Sequence, residues 1–104
     1  MLKEIVYRSD GYFEGIIQLR PFKKEIYDLV LRDVKRRKDC EIFKEVLLKT
    51  GMDIYVTNQR FAISLGRNLK KSFKGKLLIT RKLHTRGKMS GKKVYRVTVL
   101  FRAD

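Results

Sequence analysis

Between residues 54 and 103 the chain contains no aspartate or glutamate, yet it contains 14 lysines and arginines. That stretch cannot neutralise itself with internal ion pairs. Such a stretch repels itself unless a polyanion neutralises it. Residues 1–53 hold 12 basic and 10 acidic side chains, so the first half contributes only +2 of a formal net charge of +15. This asymmetry predicts an electropositive surface built from the second half, one that concentrates phosphates and speeds encounter with a polyanion. A stabilising ion-pair network of the thermophile type would need both signs of charge.

Periodicity supplies the elements. Phe13–Leu19 reads as a strand. Pro21 suits the first turn of a helix, and apolar residues at 22, 26, 29, 30 and 34 form a helical stripe over 22–38. That helix ends in Lys35, Arg36, Arg37 and Lys38, where the helix dipole favours cations; plain capping and ligand contact are both open readings there. Glu41–Leu48 and Met52–Val56 read as a hairpin turning at Thr50-Gly51. Asn58 offers an N-cap for a second helix, with Phe61, Ala62, Leu65, Leu69 and Phe73 at helical spacing and Gly75 placed to end it. On the helical wheel Arg60, Arg67, Lys70, Lys71 and Lys74 fall opposite that apolar stripe. Lys76–Leu83 reads as a strand, His84–Gly91 as a loop, and Lys92–Phe101 alternates as a strand. The order β-α-β-β-α-β-β within 104 residues predicts one α+β domain spanning 1–104. Its expected architecture is a two-layer sandwich, a mainly antiparallel sheet with two helices on one face. The core is ferredoxin-like, with a fifth strand added by the last hairpin.

Several functional classes are disfavoured. No apolar run approaches the ~18 residues of a membrane span, and the first ten residues lack the pattern of a secretory signal, so a cytoplasmic location is expected. The one cysteine, Cys40, cannot form an internal disulfide or a four-cysteine zinc site. It reads as a buried side chain rather than a nucleophile, and Asp53 as a turn or ion-pair residue. His84 is the one histidine and sits beside a basic loop with no partner to tune it. Phosphate-loop and dinucleotide glycine patterns are absent. No enzyme activity, metal or cofactor is therefore expected. Zinc-finger, RNA-recognition and KH signatures are missing as well. Tyr55, Tyr95, Phe61, Phe73 and Phe101 lie among the charges, but their spacings mark them first as core.

Three segments in order, FEGIIQLR (Phe13–Arg20), GMDIYVTNQRFAISLGRNL (Gly51–Leu69) and TRKLHTRGKMSGKKVYRVTVLFR (Thr80–Arg102), carry a family likeness. The chain resembles the central domain of the large-ribosomal-subunit export adaptors, the family first named for nonsense-mediated-decay protein three, in its archaeal form. Full-length members carry Cys-x-x-Cys zinc modules that this chain lacks. The resemblance implies binding to the large ribosomal subunit late in maturation, with ribosomal RNA and ribosomal proteins as partners.

Together these readings predict a non-enzymatic RNA-binding module. Arg67, Lys70, Lys71 and Lys74 would contact phosphates from the helix. Arg81, Lys82, Arg86, Lys88, Lys92 and Lys93 would do so from the hairpin. The alternative is a protein-interaction module that docks on an acidic protein surface.

Overall fold

Two-residue alternation becomes strands and 3.6-residue stripes become helices in the computed structural model, which describes residues 3–83 and 95–104. The elements are β1 (Lys3–Val6), β2 (Gly15–Arg20), α1 (Lys24–Arg36), β3 (Ile42–Leu48), β4 (Gly51–Val56), α2 (Gln59–Ser72), β5 (Gly75–Leu83) and β6 (Tyr95–Ala103). The expected α+β order is present. β1 is an addition: four exposed residues laid antiparallel along β3, from Lys3 opposite Leu47 to Val6 opposite Lys44. So short a strand shows no readable alternation, and it is held by the ladder it joins.

The sheet runs β1-β3-β4-β2-β6-β5. β2, α1, β3, β4 and α2 follow the ferredoxin-like path. The strand from the last hairpin does not extend the sheet at its edge. Instead β6 lies beside β2, parallel to it, and pushes β5 out to the edge. The other strand pairs are antiparallel. Burial accounts for the insertion: Val97, Val99 and Phe101 of β6 are essentially solvent-free, whereas β5 has no fully buried residue. The more apolar strand takes the central place, where it is covered from both sides of its ladder.

One core holds the domain together. Ile17, Leu19, Ile54, Val56, Val97, Val99 and Phe101 point from the sheet toward Ile26, Leu29 and Val30 of α1 and Phe61, Ala62, Leu65 and Leu69 of α2. Because both helices feed this single cluster, they share one face of the sheet. Gly66 lets α2 sit close to β6, since a Cβ there would lie 2.5 Å from Val99 Cγ1.

The helix ends differ from expectation in two places. α1 begins at Lys24, so Pro21 stands outside it, after a cis peptide bond. Phe22, just before the N-cap, packs on the Tyr27 ring with centroids 5.6 Å apart, which fixes the angle at which the chain enters the helix. α2 ends at Ser72, so Gly75 does not cap it. Gly75 opens β5 instead, where any Cβ would come within 2.4 Å of the Arg102 carbonyl oxygen of β6.

Asn58 does cap α2: its Oδ1 accepts from the Phe61 amide at 3.1 Å, and its Nδ2 donates to the Asp39 carbonyl at 3.3 Å. Asn58→Ala is expected to lower stability by about 1 kcal/mol, the usual worth of a lost cap. A urea titration should show an earlier midpoint with an unchanged slope.

Candidate nucleic-acid interface

The apolar stripe of α2 is buried in the core, which turns its opposite side to solvent. Arg67, Lys70 and Lys71 project there, and Lys74 follows in the short connection to β5; all four are exposed. The Lys70 ammonium donates to the Gly75 carbonyl at 2.6 Å, so it also ties the helix end to β5. At the helix start the Gln59 amide donates to Glu14 Oε1 at 2.9 Å. The positive end of the α2 dipole thus already faces a carboxylate of the chain itself.

Arg81 and Lys82 are exposed near the far end of β5 but face opposite ways. Arg81 lies across from Val97, on the helix side of the sheet, with its guanidinium 5.4 Å from the Tyr95 ring centre. Lys82 lies across from Arg96, on the other side. The structure therefore does not gather these two residues into one surface with each other. Arg86, Lys88, Lys92, Lys93 and His84 lie outside the described residues.

What the fold does bring together is α2 and the basic end of α1. A groove of about 440 Å³ between the helices is lined by Arg36, Arg37, Arg67 and Lys71, with Asp33, Phe61 and Asn68. Asp33, the single acid along it, accepts from Asn68 Nδ2 at 2.8 Å. Arg37 grips Asp39 through two hydrogen bonds of 2.9 and 3.1 Å and stands 5.3 Å from the Phe61 ring centre. That guanidinium holds the Asp39 carboxyl below its usual range. Arg36, Arg67 and Lys71 make no ion pair among the described residues. The Arg37 amide closes the helix on the Val34 carbonyl at 3.1 Å, while the Arg36 and Arg37 side chains turn into the groove. Sequence spacing keeps ligand contact open for both arginines but does not join them to the cations of α2. The run itself was visible, but its position beside Arg67 depends on how two helices pack.

Other reactive groups are committed elsewhere. Burial pushes the Cys40 thiol up, away from a thiolate. Asp53 Oδ1 accepts from Arg20 Nη2 at 2.6 Å in a largely buried pair. Glu45 is buried and accepts from the Tyr27 hydroxyl at 2.7 Å; burial and this carboxylate push the Tyr27 phenol far up. Among the described residues, no group of three or more His, Cys, Asp or Glu stands together as metal donors. No helix among them is long and apolar enough to cross a membrane. Phe61 and Phe101 are core, and Phe73 packs against it. Tyr55 sits on the far side of the sheet, edge-on to Phe13 with centroids 4.9 Å apart.

Fold and surface together define a small α+β module whose helical layer gathers cations along an interhelical groove. The chain belongs to the NMD3 family: the family model described as NMD3, second domain, matches residues 12–102. The match runs from just before β2 into β6 and leaves β1 outside it. No individual curated protein matches the chain.

Proposed function

We propose that this domain is a non-enzymatic RNA-binding module that docks on the large ribosomal subunit during its maturation, in the cytoplasm. The α1–α2 groove serves as its principal phosphate contact. One observation carries this reading: Arg36, Arg67 and Lys71 converge from two helices without acidic partners among the described residues, and Asp33, the acid that lines the groove with them, is held by Asn68. Lys70 extends the same surface along α2, and Lys74 carries it into the connection to β5. Membership of the NMD3 family supports the ribosomal setting. The side chains that line the groove suit phosphates rather than base edges, so affinity rests on counterion release and sequence preference is weak. Ribosomal RNA is the primary partner, with neighbouring ribosomal proteins around it.

The test replaces Arg36, Arg67 and Lys71 together by Gln, all exposed positions whose loss leaves the core untouched. Binding to a large-subunit RNA fragment is expected to fall by about 10²-fold or more at moderate salt. Thermal melting should stay close to that of the parent. Co-sedimentation of the parent with large-subunit particles should be lost after RNase treatment. Parent-like RNA affinity in the triple variant would overturn the groove as the contact.

A further inference from the structure

The helices cover one face of the sheet. Across β2, β6 and β5 no other element among the described residues covers the second face. The strand registers lay that face out in rows. Lys76, Arg102 and Arg20 stand side by side on β5, β6 and β2. Leu78, Leu100 and Gln18 form the next row, and Thr80, Thr98 and Ile16 the one after. Lys82 and Arg96 close it at the other end. Lys82 lies six residue steps along the strand from Lys76, about 20 Å at the usual rise.

Two features mark this face as a docking surface rather than a solvated one. Like charges directly opposite one another weaken a strand pair, yet both ends of the β5–β6 ribbon carry such a pair. β2, β5 and β6 contain no acidic residue to relieve them. On the neighbouring strand β4, Asp53 is taken up by Arg20. Between the cationic rows Leu78, Leu100 and Ile16 supply aliphatic surface beside Gln18, Thr80 and Thr98, and Leu78 is 57% exposed.

The chemistry of that centre selects the occupant. RNA bases stack on open aromatic faces. The rings at the border of this face are already covered: Phe13 stacks on Phe43 and carries the Arg96 guanidinium 4.0 Å from its centre, and Tyr55 meets the edge of Phe13 with the Lys44 ammonium 4.6 Å from its own centre. A second copy of the chain would bring the same cationic rows and another +15 against these. We infer that the open β2–β6–β5 face binds a protein segment with apolar side chains in its middle and carboxylates toward both ends. This goes beyond the ribosome reading and does not rest on it: the groove and this face lie on opposite layers of the domain, so both can be occupied together.

The probe is a synthetic peptide of about sixteen residues, with leucines at helical spacing in its middle turns and glutamates toward both ends. It is titrated into the isotope-labelled chain and followed by NMR. A scrambled peptide of equal charge is the control. Amides of Leu78, Thr80, Thr98 and Leu100 are expected to shift with the ordered peptide. Leu78→Thr, a strand-compatible change at an exposed site, should weaken it by about tenfold. The same variant should bind the RNA fragment like the parent, which separates failure of this inference from failure of the groove. Equal binding of the scrambled peptide would reduce the effect to bulk charge and overturn the inference. So would shifts confined to α1 and α2, or shifts on β5–β6 produced by a short oligouridylate instead of the peptide.

Discussion

Raising salt from about 50 to about 200 mM is expected to weaken binding of this domain to a folded ribosomal RNA fragment by about 10³-fold. The groove and the outer side of α2 present Arg36, Arg37, Arg67, Lys70, Lys71 and Lys74, all exposed. Each phosphate they neutralise releases condensed counterions, and that release loses its driving force as bulk salt rises. Contacts of this number sit at the low end of the range for which such losses are known. Neutralising Arg36, Arg67 and Lys71 should remove about three from the slope of log affinity against log salt, roughly one per lost phosphate. Fluorescence anisotropy across a salt series measures both quantities. A nearly flat series for the parent would mean that the basic surface is not what holds RNA.

Phe101→Ala is expected to cost about 3–5 kcal/mol, a large part of the ~5–15 kcal/mol that stabilises a domain of this kind. Phe101 is only 1% exposed. It lies on β6, which is ladder-bonded to β2 on one side and β5 on the other, so the helices above and strands on both sides wall in the space left by its ring. Leu78→Ala, on the open side of the edge strand, should stay within about 0.5 kcal/mol. The contrast tests the strand order directly. If β6 were the outer strand of the last hairpin, Phe101 would be less enclosed and the two costs would draw together. Chemical denaturation of both variants, read as a change in midpoint at constant slope, decides it.

The elements were legible in the residues because their signals are local. A helix or strand declares itself by the spacing of apolar side chains over one or two turns of chain, and Asn58 marks its own helix start. The cationic side of α2 was legible for the same reason: Arg67, Lys70 and Lys71 fall opposite Leu65 and Leu69 at any 3.6-residue spacing. The opposed directions of Arg81 and Lys82 were also implied by the two-residue period of a strand. β1 escaped notice because four residues carry too little pattern.

What the residues did not contain was adjacency. Nothing in the apolar pattern of β6 says that it slips between β2 and β5. That choice was made by comparing how much apolar surface each strand could bury next to β2, a property of the assembled sheet. Nothing in the run at 35–38 says that Arg36 will face Arg67. That depends on two helices settling on one core so that their charged sides meet across a groove. The sequence by itself determined which side of the two helices and of β6 is apolar and that the second half must show its cations outward, since local spacing and composition suffice for both. The tertiary structure alone decided which cations stand together and which sheet face stays open, because those are distances between segments far apart in the chain, set by the packing of one shared core.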